Sequence, residues 1–141
     1  MMIVVLDTHV LVAGLLNPFG PPGRILDLIL SGELSLAYDD RILAEYHDVL
    51  PRDKFDFDPV SVAELLAYIE IEGQYTGAVP LNIKLPDADD LPFLEVAHAV
   101  QADALVTGNV RHYPVSSRLD VNVLTPTEFL VRWQAIDPDC Q

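Results

Sequence analysis

Positive charge is scarce in this sequence. Its 141 residues hold 8 Lys and Arg against 22 Asp and Glu, a formal charge of −14 at pH 7. Proteins that bind nucleic acid through a broad surface are usually basic. An acidic chain instead favours metal cations or a basic protein partner. Cysteine is nearly absent. The single one, Cys140, stands in a polar tail, which excludes an internal disulfide and a Cys-rich zinc site. Long apolar runs are absent too. No stretch reaches the roughly 18–20 residues that a membrane span needs. The apolar start has no basic flank and is broken by Asp7, unlike the core of a signal peptide. It reads as the first element of the fold of a cytoplasmic protein. With no internal repeat, linker or low-complexity stretch, one domain over 1–136 is expected, followed by a polar tail over 137–141.

Half of the residues are apolar, enough for one packed core. Ile3–Leu6 is β-branched and apolar without alternation, as in a strand buried on both faces. A short helix over Val10–Leu16, a Pro/Gly loop over 17–23, a helix over Arg24–Leu30 and a strand over Leu34–Tyr38 follow. Asp39-Asp40 caps a helix over Arg41–Leu50, and Pro59 opens another to about Glu72, stopped by Gly73. Leu81–Ile83 is read as a short strand and Leu91–Gln101 as a helix with Pro92 in its first turn. Strands over Ala104–Thr107 and Val121–Leu124 come next. Thr125-Pro126-Thr127-Glu128 is a capping box opening the last helix. Alternating strands and helices predict an α/β fold, a parallel sheet covered on both sides. Polar ligands of such folds sit beyond the carboxyl ends of the strands. Asp7 and Gly108-Asn109 both fall on that rim.

Three carboxylates can meet there. Asp7 ends a buried strand, and an unpartnered buried carboxylate costs several kcal/mol; capping the next helix is its alternative role. Glu45 lies at the margin of the apolar arc of Ile42, Leu43, Tyr46, Val49 and Leu50, either facing the sheet edge or reaching out to water. Asp90 precedes a helix whose buried face is Phe93, Leu94, Val96, Ala97 and Val100. It is a helix cap or a site residue, and Asp87 and Asp89 are neighbours of the same kind. Glu95 falls on the opposite face and is expected in solvent. At 4–5 Å and an effective dielectric of 20, each carboxylate pair repels by roughly 3–4 kcal/mol, so a cluster persists only with a cation or raised pKa values. Oxygen donors without a Cys or His framework suit Mg²⁺ or Mn²⁺, not zinc. His47 and His98 are read as partly exposed helix residues; His9 and His112 can approach the rim, but their spacing does not demand ligation. Tyr46 and Phe93 are core candidates.

The blocks VVLDTHVLVAGLL, RILAEYHDVL, DADDLPFLEVAHAVQADALVTGN and VLTPTEFL together resemble a PIN-domain protein, nearest to the toxin-type PIN ribonucleases of prokaryotic toxin–antitoxin pairs. The resemblance implies a three-layer α/β/α sandwich and an acidic Mg²⁺ or Mn²⁺ pocket that hydrolyses RNA. By position it implies Asp7, Glu45 and Asp90 as catalytic and metal-holding residues, with Asp89 adjacent and Asn109 at a fourth position where the family often has Asp. The second shell is expected from Thr8, His9, Thr107 and Asn109. His9 stands where the family commonly has an Asn that orients the first carboxylate. The expected partners are RNA as substrate and a basic or mixed-charge antitoxin protein, with a homo-oligomer compatible and no membrane. Arg24, Arg41, Arg111 and Arg118 are the cations expected to hold RNA.

A second reading is a catalytically silent PIN-like interaction or metal-binding protein, favoured by Asn109 and the acidic surface and opposed by the intact Asp7, Glu45 and Asp90. Other strand-end-Asp enzymes fit worse. A haloacid-dehalogenase-type phosphatase needs a second Asp where His9 stands, and a phospho-receiver needs a late lysine, whereas the last here is Lys84.

Overall fold

The computed structural model describes residues 1–78 and 80–136. Strands β1 (Met2–Leu6), β2 (Leu34–Tyr38), β3 (Gln74–Tyr75), β4 (Ala104–Val106) and β5 (Val123–Leu124) form one sheet in the order β3-β2-β1-β4-β5. Every pairing is parallel. Helices α1 (Thr8–Leu16), α2 (Pro21–Leu30), α3 (Asp40–Val49), α4 (Pro59–Glu72), α5 (Leu91–Ala99) and α6 (Pro126–Ile136) surround it. α5 crosses β1, β2 and β4 beside α3, whereas α2 and α6 pack on each other and on the sheet. This is the expected three-layer sandwich.

The central strand is the most buried. Val4, Val5 and Leu6 are sealed from solvent, as their unbroken apolar pattern requires. The chain runs from β1 outward through β2 to β3, then returns to β4 on the other side of β1. The switch point, where a doubly wound sheet opens a crevice for ligands, therefore lies between the ends of β1 and β4. Local caps hold the helices that frame it. The Asp39 carboxylate accepts from Ile42 N at 3.0 Å. The Thr125/Glu128 box closes reciprocally, with Thr125 N donating to Glu128 at 2.9 Å and Glu128 N to Thr125 Oγ1 at 3.2 Å.

The strand expected over Leu81–Ile83 does not form. Gly73 ends α4 against the backbone of Leu36, and the chain pairs with β2 at once, Gln74 opposite Ala37 and Tyr75 opposite Tyr38. With that edge taken, the amide of Leu81 donates to the side chain of Glu95 instead of a strand. The helix expected from Arg24 starts earlier, at Pro21, where proline has no needed amide to lose. The polar tail 137–141, with Cys140, lies outside the described residues. Among the described residues no helix is long and apolar enough to cross a membrane.

Candidate active site

Asp7 follows β1 directly and is 4% exposed. Its side chain does not cap α1; the Asp7 carbonyl takes the helical amide of Val10 at 2.9 Å. That frees the carboxylate, which accepts from Thr107 Oγ1 at 2.9 Å, just past β4. Thr107 Oγ1 in turn accepts from the amide of Asn109 at 3.1 Å. The ends of β1 and β4 are thus joined through side chains as well as through the sheet.

Glu45 is half-buried and reaches the rim from α3. Thr8 donates its hydroxyl to it. The neighbouring Tyr46 is sealed in the core, as expected, and donates its hydroxyl to the Leu6 carbonyl at 2.6 Å. That bond ties α3 to the end of β1 and so sets where Glu45 stands.

Asp90 occupies the turn before α5, 8% exposed, and makes no side-chain cap. The capping is done by Asp87, which accepts from Asp89 N at 3.0 Å. Burial, and next the charge of Asp7, push the Asp90 carboxyl up to about 6, with His112 pulling the other way. His112 Nδ1 stands 2.8 Å from Asp90 Oδ2, yet among the described residues that buried oxygen has no aligned hydrogen-bond donor. The opposite ring nitrogen, Nε2, lies 2.7 Å from the amide nitrogen of Asn109.

Tyr113 lies within the field of the three carboxylates. It is sealed from solvent, and its hydroxyl has no hydrogen-bond partner among the described residues. Burial raises its pKa, and the charges of Asp7, Asp90 and Glu45 raise it further, in that order. The three carboxylates therefore share one electrostatic neighbourhood. They do not form one tight cluster: among the described residues, those with ligand atoms all within 4.8 Å of one another are Asp87, Asp90 and His112. Asp89, expected beside Asp90, is exposed and contributes only its amide to Asp87. His9 is exposed and makes no hydrogen bond to Asp7; Thr107 orients that carboxylate instead.

Two further expectations change. Glu95 is not in solvent but 2% exposed, because the segment after β3 runs back over α5 and Arg41 pairs with it at 2.6 Å. Arg41 is therefore not free for a polyanion. Nor is Arg118 Nε, which donates to the Tyr113 carbonyl at 2.7 Å. Arg24 and Arg111 remain exposed. Sequence reasoning ranked His112 low; its signal lay in the three-residue spacing from Asn109, which puts both on one short helical turn, Val110–His112 with Asn109 as its cap.

A divalent cation fits the donor set at this rim. Asp90 offers a buried oxygen with no aligned donor, and Asp7 adds a second buried carboxylate close enough to raise it. The site does not coincide with the open cavity of about 870 Å³ along α5, whose walls include Glu95 and His98 but none of Asp7, Glu45 and Asp90.

Carboxylates gathered at the switch point of an open parallel sheet define a class: α/β proteins with an acidic, cation-ready rim. The chain belongs to the PIN-domain family, whose model matches residues 3–111. It is similar to the uncharacterised protein MJ1680 of Methanocaldococcus jannaschii, 27% identical over 93% of this chain and 91% of that protein. Its fold is similar to that in the crystal structure of VapBC2 from Rickettsia felis bound to a DNA fragment from their promoter. The TM-score is 0.52 at 19% identity, covering 87% of this chain and 97% of the other.

Proposed function

We propose that this protein is a metal-dependent ribonuclease, acting on RNA phosphodiesters as the toxin component of a toxin–antitoxin pair. The observation that carries this reading is that three carboxylates from three separate elements are tied to one strand rim, Asp7 by Thr107, Glu45 by Thr8, and Asp90 through His112 and Asn109. Isolated, such charges repel; a divalent cation removes the conflict and makes a negative pocket attractive to phosphate. Family membership and the toxin–antitoxin complex with a similar fold support the same reading.

Asp7 and Asp90 would hold Mg²⁺ or Mn²⁺, with Glu45 direct or through water. When bound, that ion supplies Lewis acidity to polarise the phosphodiester and activate water. The protein's own part is positioning. Thr107 fixes the Asp7 carboxylate from one side, and Thr8 fixes Glu45 from the other. Water adds to phosphorus as the bond to the 3′-oxygen breaks, leaving a 5′-phosphate and a 3′-hydroxyl. No ribose 2′-hydroxyl takes part. The expected partner is a small basic or mixed-charge antitoxin, whose cationic side chain would pair with the acidic rim and gain on-rate from the −14 charge.

The test is cleavage of a labelled RNA panel with Mg²⁺, Mn²⁺ or excess EDTA, and Asp7→Asn as control. Cleavage that EDTA and Asp7→Asn both abolish supports the proposal. A 2′-deoxy residue at the scissile position should still be cut. Undiminished cleavage in EDTA sinks the metal mechanism. A silent interaction or metal-binding module is the second reading, favoured by Asn109 in place of a charged ligand and by the engagement of Arg41 and Arg118. Metal binding without cleavage of any RNA would support it.

A further inference from the structure

We propose that His112 contributes a nitrogen ligand to the cation in this pocket, with Asn109 as the residue that holds the ring. The site then becomes a mixed oxygen–nitrogen site that favours Mn²⁺ over Mg²⁺. This inference rests on the reading above that the rim takes a divalent cation.

The geometry around Asp90 carries it. Asp87, Asp90 and His112 each present one ligand atom, all within 4.8 Å of one another. The closest approach is His112 Nδ1 to Asp90 Oδ2, at 2.8 Å. Two ligands about 2.1 Å from an ion on adjacent octahedral positions stand about 3.0 Å apart. The separation therefore suits two neighbouring ligands of one cation. An ordinary hydrogen bond would also suit the distance, but among the described residues no donor is aligned to that oxygen, although Asp90 is 8% exposed. A buried carboxylate oxygen beside a ring nitrogen, without a hydrogen bond between them, is an acceptor left open on the side where the histidine stands.

The far side of the ring supplies the second half of the argument. Nε2 faces the Asn109 side-chain amide at 2.7 Å. The amide nitrogen and oxygen exchange places by a half-turn. With its oxygen turned to the ring, Asn109 accepts the Nε2 proton, and Nδ1, 2.8 Å from Asp90 Oδ2, keeps its lone pair free for a cation beside that oxygen. Histidine ligands are typically held this way, by a carbonyl or carboxylate that takes the other ring proton. A reason follows for an amide at position 109. An aspartate there would add charge to a rim already carrying Asp7, Glu45, Asp87 and Asp90; an asparagine orients a neutral donor instead. Asp87 keeps one bond to the Asp89 amide and closes the outer side of the group. Imidazole widens the set of acceptable metals beyond the hard cations, and Mn²⁺ accepts both donor types.

The experiment titrates Mg²⁺ and Mn²⁺ separately into the full-length, metal-free chain by calorimetry, and records pulsed EPR of the Mn²⁺ form. The expected result is tighter binding of Mn²⁺ than Mg²⁺ and ¹⁴N coupling to the bound Mn²⁺. His112→Gln should remove the coupling and weaken Mn²⁺ by about 10–100-fold while moving Mg²⁺ far less. Mn²⁺ bound to the unmodified chain without ¹⁴N coupling overturns this inference alone. So does an equal loss of both metals in His112→Gln, which marks His112 as a counter-ion of Asp90. If neither metal binds, or if Asp7→Asn binds as well as the parent chain, the underlying reading falls with it.

Discussion

Arg41 Nη1 lies 2.6 Å from Glu95 Oε1, while its Nη2 lies 2.7 Å from Asp39. One guanidinium thereby links the end of β2 to α5. Asp39 caps α3, which carries Glu45, and α5 begins at Asp90. The second oxygen of Glu95 accepts from Leu81 N, tying down the segment that leads to Asp87. The two helices that deliver candidate carboxylates are held in relation by a chain of charge-assisted hydrogen bonds.

Removing Arg41 leaves Glu95 buried without its cation. Breaking a buried pair costs about 3–5 kcal/mol. The Arg41 side chain is 44% exposed, so water can partly compensate. Arg41→Ala should therefore lose about 2–3 kcal/mol in urea denaturation. Arg41→Ala/Glu95→Gln should recover part of that loss, because no bare charge remains. A single variant within about 0.5 kcal/mol of the parent would show that the pair carries no net stability.

That same pair marks where sequence reasoning ends. A helical wheel puts Glu95 opposite Phe93 and Val96, and on a helix covered from one side that face is wet. α5 is covered from both, by the sheet and by a returning segment with neither helical nor strand period. A pairing across 54 residues leaves no local trace. The signals that were legible are local: Asp7 breaking an apolar strand, the Asp39 cap, and the Thr125/Glu128 box. Parallel strand order then brings Asp7 and Thr107 to one rim. The role of Thr107 toward Asp7 replaces the one expected of His9, because the residue after Thr8 turns outward on the first turn of α1.

Asp90 predicts a pH dependence. Its carboxyl is raised from 3.8 to about 6, so in that window the folded state binds more proton than the unfolded chain. Stability from this group is fully present below the unfolded value and is lost as pH rises through about 6. The cost at neutral pH is about 2–3 kcal/mol. Metal-free Asp90→Asn should therefore melt higher than the parent chain at pH 7.5, and the gap should close toward pH 4. Calorimetric scans across that range check it; a destabilised variant at pH 7.5 would mean that Asp90 is held by contacts its charge requires.

Thr107 tests positioning at Asp7. Thr107→Val keeps the shape and removes the hydroxyl that donates to Asp7 and accepts from Asn109 N. One buried and one part-buried hydrogen bond are lost, at about 1–3 kcal/mol for the groups left unpaired. Metal affinity or cleavage should fall about 10–100-fold, as for other groups that orient a ligand. Thr107→Ser should restore both, since it returns the hydroxyl. If Val and Ser behave alike, packing and not the hydrogen bond is what Thr107 supplies.

The charge balance makes the last prediction. With Arg41 paired to Asp39 and Glu95 and Arg118 Nε bonded to the Tyr113 carbonyl, Arg24 and Arg111 are the exposed, unengaged members among the described residues of the four arginines expected to meet RNA. Each phosphate neutralised on a single strand contributes about −0.7 to the slope of log K against log salt. Two or three contacts give a slope of about −1.5 to −2. RNA affinity of the inactive Asp7→Asn variant, measured from low to moderate salt, should show this shallow dependence. A slope near −4 would need about six phosphate contacts. Such a slope would require Lys54, Lys84, Arg52 and Arg132 all to gather along one strand path with Arg24 and Arg111, and Arg52 already pairs with Asp48 at 2.9 Å. A shallow slope with measurable binding would instead locate the attraction in a few close contacts that act inside a field that is otherwise repulsive.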